Sequence, residues 1–215
     1  MGRLTRSESK ALTRERLLAA GRSAFLRDGF HGTTLERIAE DAGYTKGAIY
    51  SAFASKSDFF LALFDERVEE RVAAYEAITQ LAEPEDVVPA LVDRWTRVLR
   101  EEREWSLALI EFWAFAARHE DVRGRFSALH ERSRRALAAT IAAAAERTGR
   151  ELAVSSELLA LTAMALTNGF VLEGFTDPAM VEGDRYETVI ALLASTAVRT
   201  RKVGAAAAGR RRSAG

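Results

Sequence analysis

The sequence predicts an all-α fold of about nine helices. Apolar residues recur at spacings of three and four along most of the chain, and strand-like alternation is absent. The 215 residues include only three prolines, and 48% of them are hydrophobic, which suffices for a core in one large domain or two small ones. There is no cysteine, which excludes disulfides, thiolate nucleophiles and cysteine-ligated zinc.

Three helices are expected at the N-terminal end, at about residues 13–28, 33–42 and 45–53. Gly29 should stop the first helix, and Gly43 should end the second. Thr33 and Glu36 have the spacing of a capping box, in which each side chain bonds an amide of the first turn. The second and third helices are therefore joined by a tight turn.

Six further helices are expected at about residues 56–81, 89–103, 105–117, 121–147, 156–175 and 184–199. Ser55 and Asp58 form a second box-like pair at the start of the first of these. Pro84 closes that helix, Gly149 ends the long alanine-rich one, and Pro178 separates the last two. The helix at 105–117 is apolar on nearly all sides, as expected of a helix surrounded by others.

Charge is distributed unevenly along the chain. Residues 1–58 carry ten Lys or Arg against seven Asp or Glu, whereas residues 59–198 carry fifteen against twenty-four. Residues 199–215 carry six basic residues and no acidic one. A basic N-terminal part on an acidic body suits contact of that part with a polyanion, although chance remains an alternative for so modest an excess.

The second and third helices have the packing pattern of a helix-turn-helix. Ala39 offers a small side chain at the crossing, Gly43 follows four residues later in the turn, and Ile49 anchors the third helix six residues further on. With Ile49 pointing inward, Gly47 and Ser51 lie about 160° away on the outer face. A helix so small on its outer face can settle deep in a DNA major groove, unless the small residues instead serve close packing inside the protein.

The residues expected to contact DNA surround this bare face. Lys46, Tyr50 and Lys56 are directed at phosphates, and a threonine at the start of the second helix reaches the same strand. The predicted contacts are Thr33, Thr34, Thr45, Lys46, Gly47, Ala48, Tyr50, Ser51 and Lys56. The predicted organisation is a DNA-binding head at residues 1–55, a helical body at 56–203 and a disordered basic tail at 204–215. Arg3, Arg6, Lys10 and the arginines at 210–212 are expected to add nonspecific attraction.

The run TLERIAEDAGYTKGAIYSAFASKSDFF closely resembles the N-terminal domain of TetR-family transcriptional regulators. The matching positions are Thr34, Ile38, Ala39, Ala42, Gly43, Thr45, Gly47, Ala48, Ile49, Tyr50, Phe53 and Lys56. The resemblance implies a dimeric all-helical repressor, in which a ligand in the C-terminal domain changes the spacing of the two recognition helices. Ser51 and Ala52 stand where the family often has aromatics or His, so Thr45, Lys46, Ala48 and Ser51 are expected to read most of the bases.

The segment ALTNGFVLEGFTDPAMVEGDRYETVIALL resembles the last two helices of the family, which implies a dimerisation pair. The predicted interface residues are Leu159, Thr162, Ala163, Leu166, Phe170, Val189, Leu192, Leu193 and Thr196. An ordinary intramolecular core is the alternative.

An effector pocket is expected among the middle helices, where aromatic residues concentrate. The candidates are Trp95, Trp105, Glu111, Phe112, Phe115 and Asn168. Glu111 either pairs with a basic group such as Arg118 or faces a cavity and binds a cationic or hydroxylated ligand. Asn168 poses the same choice between structure and ligand, and any single aromatic can equally belong to the core.

No enzyme motif accompanies these features, and neither a cofactor nor a metal is expected. His119 and His130 would lie about 16 Å apart on one helix, too far to share a metal ion. The expected partners are a double-stranded DNA operator, an unidentified small molecule and a second copy of the chain, with no membrane and a cytoplasmic location. Two alternatives remain: a DNA-binding regulator without small-molecule input, and a helical carrier or enzyme that reuses the head.

Overall fold

A computed structural model describes residues 5–81 and 83–198, and within them the chain forms nine α-helices. These are α1 (Arg6–Gly32), α2 (Leu35–Asp41), α3 (Lys46–Ala52), α4 (Lys56–Leu81), α5 (Val87–Glu101), α6 (Arg103–Ala116), α7 (Glu120–Thr148), α8 (Ser156–Thr176) and α9 (Arg185–Thr196). Short 3-10 turns, Pro84–Asp86 and Pro178–Met180, precede α5 and α9, and an isolated antiparallel bridge joins Leu152 to Val198. The predicted all-α fold is confirmed. Arg3 and the predicted tail at 204–215 with its arginines lie outside the described residues.

Helix α1 begins earlier than predicted because Thr5 and Glu8 form a complete capping box. The backbone N–H of Glu8 donates to Thr5 Oγ1 at 3.2 Å, and the backbone N–H of Thr5 donates to Glu8 Oε2 at 2.7 Å. Arg6 and Lys10 therefore lie on a helix. Gly29 breaks the regular helix as predicted, with φ 70° and ψ −179°.

Helix α2 is capped by Thr34, so the predicted capping box of Thr33 and Glu36 is wrong. The hydroxyl of Thr34 accepts a hydrogen bond from the backbone N–H of Arg37 at 3.3 Å. Thr33 is buried instead, and its hydroxyl donates to the carbonyl oxygen of Gly29 at 2.8 Å. Because the chain changes direction at Gly29, the side chain of Thr33 is buried, and the next residue, Thr34, caps α2.

Two apolar clusters form the interior. The first joins α1, α2 and α3 to the start of α4, to α6 and to the start of α7, and it centres on rings such as Phe30, Phe60 and Phe112. The second joins the end of α4 to α5, α7, α8 and α9 around Tyr75 and Tyr186. The first cluster includes residues on both sides of position 55, so the predicted boundary between head and body marks the start of α4 and remains a prediction about domains.

Two helices of the body leave apolar surface exposed. On α6, Leu107 and Trp113 are exposed, so the expectation that this helix is surrounded on all sides is wrong. On α8, Leu158, Leu161 and Leu172 are exposed. Helix α8 is also, within the described residues, the one that is long and apolar enough to cross a membrane by length and composition alone, and 28% of its most apolar window is buried.

Candidate nucleic-acid interface

The turn between α2 and α3 has the geometry that the sequence predicts. Ala39 and Ile49 are buried at the crossing of the two helices. Gly43 takes a left-handed conformation with φ 72°, which a residue with a side chain adopts at a cost. The hydroxyl of Thr45 accepts a hydrogen bond from the backbone N–H of Ala48 at 3.3 Å and begins α3. The turn therefore fixes the angle at which α3 projects from the head.

The outer face of α3 is open. Gly47, Tyr50 and Ser51 are exposed, and Ala48 is half-buried. A Cβ added at Gly47 would meet no heavy atom closer than Thr45 Oγ1, at 3.9 Å. The small residues therefore do not serve close packing against another part of the described chain, and a flat surface one helix wide remains free for a partner.

One acidic side chain, which the sequence analysis did not place in this site, holds two of the predicted DNA contacts. Oε1 of Glu36 on α2 forms an ion pair with the ammonium of Lys46 at 2.8 Å and accepts a hydrogen bond from the hydroxyl of Tyr50 at 2.9 Å. The hydrogen bond from Lys46 is the main reason that the pKa of Glu36 falls to about 2. Lys46 and Tyr50 are thus held beside the bare face by a carboxylate with which a phosphate would compete.

Lys56 is turned away from this surface, so its predicted role as a phosphate contact is wrong in this conformation. Its ammonium donates to the carbonyl oxygens of Phe30 at 2.8 Å and of Thr33 at 3.0 Å, and lies 4.6 Å from the ring centre of Phe30. Burial lowers the pKa of Lys56. Lys56 caps the carbonyls that follow α1, and Thr33, whose hydroxyl is also buried, is likewise withdrawn from the predicted interface.

Glu111 connects α6 to the head. Its Oε2 accepts a hydrogen bond from the backbone N–H of His31 at 3.0 Å. A Cβ added at Gly29 would lie 2.8 Å from each carboxylate oxygen. Arg118 donates to the carbonyl oxygen of Ala114 instead. Glu111 therefore neither pairs with Arg118 nor lines a described cavity, and the basic group whose pKa its charge raises is Lys56. Its hydrogen bond goes to the backbone of His31, which the sequence pattern did not predict.

Two neighbouring cavities lie between the helices of the body, with volumes of about 390 and 440 Å³. Trp95, Trp105 and Trp113, the three tryptophans of the chain, line the first cavity. Asn168 and His130 line both. Of the six predicted effector residues, Trp95, Trp105 and Asn168 thus face a cavity.

The other two aromatic candidates belong to the core. Phe112 is fully buried, with its ring 5.0 Å from that of Phe30. Phe115 stacks on His119 with ring centres 3.9 Å apart. Neither lines a described cavity, because both face the head from α6. The predicted effector role of Phe112 and Phe115 is corrected accordingly.

The predicted dimer residues divide between the interior and the surface. Leu159 and Ala163 are buried within the chain, and Phe170 lies 5.2 Å from the ring of Tyr186, so these three serve intramolecular packing. Leu192, exposed at 62%, and Thr196 are accessible. The remaining members, Thr162, Leu166, Val189 and Leu193, are half-buried.

One side of α8 carries an exposed stripe that was not predicted from the sequence. Leu158, Leu161, Ala165 and Leu172 are exposed, and their spacing places them within about 60° on one side of the helix. Leu161 and Ala165 also line the 440 Å³ cavity, and Leu172 lines the 390 Å³ cavity, so both cavities reach this side of α8. Repeats of three, four and seven residues are the signal that could have identified this stripe.

Comparisons with known proteins agree with this geometry. Residues 17–63 match the family model for bacterial regulatory proteins of the tetR family, and residues 84–198 match the model for the C-terminal part of BetI-type transcriptional repressors. The transcriptional regulator TtgR of Pseudomonas putida is 37% identical over 91 residues, which are 42% of this chain and 41% of TtgR. PksA of Bacillus subtilis is 25% identical over 82% of this chain and 85% of its own length. The matches span 41%, 66% and 41% of the curated relatives TtgR, YfiR and ArpR.

Solved structures share the fold of about nine-tenths of the chain. A TetR transcription regulator from Haloarcula marismortui superposes with a TM-score of 0.74 at 21% identity, covering 88% of this chain and 100% of that one. GusR of Salmonella enterica superposes with a TM-score of 0.72 at 22% identity, covering 91% and 99%.

Proposed function

Because this chain belongs to the TetR family of bacterial regulatory proteins, we propose that it binds a palindromic DNA operator as a homodimer and leaves it when a small molecule binds the body. Members of the family are transcriptional regulators, generally repressors, and are not enzymes. Operator binding would place the protein in the cytoplasm with the DNA. Two alternatives remain. A regulator without an effector would bind DNA independently of any small molecule, and a carrier or enzyme would bind or convert a ligand without binding an operator.

The open outer face of α3 is the observation that carries the proposal. Gly47 and Ser51 are exposed, and among the described residues no heavy atom lies closer than 3.9 Å to a Cβ added at Gly47, so the backbone of α3 can approach base edges closely. The proposed contacts are Thr34, Thr45, Lys46, Gly47, Ala48, Tyr50 and Ser51. Lys46 and Tyr50 would exchange Glu36 for DNA phosphates, so part of the interface is already arranged in the free protein.

The exposed stripe on α8 supports the homodimer. Leu158, Leu161, Ala165 and Leu172, with Leu192 on α9, form an apolar surface that a two-fold partner would bury. A symmetric dimer presents two copies of α3, whose half-sites on a near-palindrome lie about 34–36 Å apart or a little more.

The cavities of the body support a small-molecule input. Their volumes of about 390 and 440 Å³ fall in the range of ligand sites, so the alternative without an effector loses its main support. Helix α6 lines the first cavity through Trp105 and Trp113, and it holds the head through Glu111. A ligand that moves α6 would favour a dimer whose heads are wrongly spaced for both grooves.

The test is selection of binding sites from random double-stranded DNA by the full-length protein, followed by fluorescence anisotropy on the enriched sequence. We expect a near-palindrome bound by one dimer. Gly47→Leu should weaken binding to it by about a hundredfold, because a leucine side chain holds the backbone away from the bases. The matched control Gly124→Leu lies on an open part of α7 and should leave binding unchanged. Failure to enrich any sequence would contradict the proposal.

A further inference from the structure

Within the described part of the chain, one cation that lines the 390 Å³ cavity forms no ion pair. Arg71 lines this cavity from α4. Its guanidinium donates to the hydroxyl of Ser133 at 3.3 Å, and among the described residues no carboxylate oxygen lies within 4 Å of it. Burial lowers the pKa of Arg71, which is what an enclosed cation without a close counter-charge shows.

The nearby acidic residues are already paired. Glu102, which also lines the cavity, forms an ion pair with Arg67. Glu70 forms ion pairs with Arg22 and Arg67. Arg94 contributes a further positive charge near Arg71. The cavity therefore carries an uncompensated positive charge, and a buried charge is expensive unless a partner neutralises it.

Most of the remaining lining is apolar or aromatic, and it includes the indole rings of Trp95, Trp105 and Trp113. Its polar members besides Arg71 and Glu102 are Tyr75, Ser106, His130, Thr167 and Asn168. The side chain of Asn168 makes no hydrogen bond within the described part of the chain, although it lines both cavities. An amide in this position can donate to or accept from a polar group of a ligand.

We infer that the cavity binds a compact aromatic carboxylate, with the acid group on Arg71 and the rings among the three indoles. Guanidinium and carboxylate form two parallel hydrogen bonds, and enclosure strengthens the pair. A hydroxyl or carbonyl on the ligand would reach Asn168. This inference rests on the proposed function only in naming the ligand as the effector. It also replaces the expectation of a cationic or hydroxylated ligand held by Glu111, because Glu111 does not line the cavity.

The alternative is that Arg71 serves packing alone, through Ser133 and its aliphatic stem. The two possibilities differ in what they predict for ligands of equal shape and different charge. A structural Arg71 gives no preference for an acid, whereas a binding Arg71 gives a preference that disappears with its charge.

The experiment is isothermal titration calorimetry of the full-length protein with three probes of matched shape. These are biphenyl-4-carboxylate, biphenyl-4-carboxamide and biphenyl-4-methylammonium. We expect the carboxylate to bind at least about tenfold more tightly than the amide and the ammonium probe. In Arg71→Met the ratio of carboxylate to amide affinity should fall to about one, in Arg71→Lys most of it should remain, and in the control Arg97→Met on the surface of α5 it should be unchanged.

Three outcomes would overturn the inference: no binding of the carboxylate up to millimolar concentration, equal binding of the amide, or an Arg71→Met protein that keeps the preference. Should Arg71→Met fail to fold, Arg71→Gln removes the charge while keeping a donor for Ser133, and the ratio of carboxylate to amide affinity should again fall to about one. The titrations contain no DNA, so they test the ligand class alone. Addition of the carboxylate to the protein–operator complex then tests the effector role: tight binding without release of DNA would contradict the proposed function and leave the ligand class standing.

Discussion

The carboxylate of Glu111 on α6 lies 3.0 Å from the backbone nitrogen of His31, at the end of the first helix of the head. No other side chain of the described residues hydrogen-bonds that nitrogen. Because the same α6 lines the 390 Å³ cavity, the bond joins the wall of the proposed ligand site to the head that carries α3.

Removal of this bond should cost stability and weaken the link between ligand and DNA. Glu111→Ala leaves the N–H of His31 without its acceptor, and we expect the free energy of unfolding to fall by about 1–2 kcal/mol. Glu111→Gln keeps an acceptor oxygen and should lose less. Urea denaturation measures both, and an alanine variant as stable as the wild type would show that the bond contributes nothing.

Gly29 should not tolerate a side chain. At φ 70° and ψ −179° its backbone is nearly restricted to glycine, and an added Cβ would meet the Glu111 carboxylate at 2.8 Å. Gly29→Ala should therefore lower the free energy of unfolding by about 2–3 kcal/mol. The matched control Gly124→Ala lies within α7 in open space and should raise stability by about 0.5–1 kcal/mol. Equal effects of the two substitutions would contradict the strain at Gly29.

Lys46 and Glu36 should affect DNA binding in opposite directions. Lys46→Ala removes the proposed phosphate contact, so affinity should fall for all sequences and the salt slope should decrease by about one. Glu36→Gln removes a negative charge beside the proposed phosphate contacts and should raise affinity about threefold at low salt. Anisotropy titrations at several salt concentrations measure both. A change in base preference at one position, with the slope intact, would make Lys46 a base reader.

His130 should make stability depend on pH. Burial lowers its pKa from 6.5 to about 4, so the unfolded chain binds a proton that the folded protein does not bind between these values. Stability is fully present above about pH 6.5 and should fall by about 2–3 kcal/mol as the pH drops to 4. His130→Phe should flatten this part of the profile. Denaturation across pH 4–7 tests it, and an equal slope in both proteins would contradict the assignment.

The stripe on α8 should determine the oligomeric state. Leu161→Arg places a charge in the proposed two-fold interface, and we expect the dimer to dissociate to monomers at micromolar concentration. Leu107→Arg on α6, which is similarly exposed, is the control and should remain dimeric. Analytical ultracentrifugation distinguishes the two, and a monomeric wild-type protein would refute the dimer.

The helix-turn-helix was predictable because its determinants are local. Ala39, Gly43 and Ile49 lie within eleven residues, and their roles follow from helix geometry alone. The functions of Lys56 and Glu111 were not predictable in this way. Lys56 bonds carbonyls 23 to 26 residues earlier, and Glu111 bonds an N–H 80 residues earlier, so each role depends on where the chain after Gly29 lies in three dimensions.

In the body, too, local features were predictable from the sequence and contacts between distant segments were not. The spacing of apolar residues located its helices, but it did not show which side of α8 the neighbouring helices cover. Leu159 and Ala163 therefore proved to be interior, while Leu158 and Leu161, each one or two positions away, are on the surface.

The 390 Å³ cavity, which the three tryptophans line, gives this protein an intrinsic fluorescent reporter. All three indoles of the chain line it, so the tryptophan emission of the unlabelled protein comes entirely from the surroundings of that space. Occupancy can thus be followed during a titration, or in a stopped-flow instrument, while a dye on the DNA records departure from the operator. The order of the two signals would reveal whether filling of the cavity precedes release.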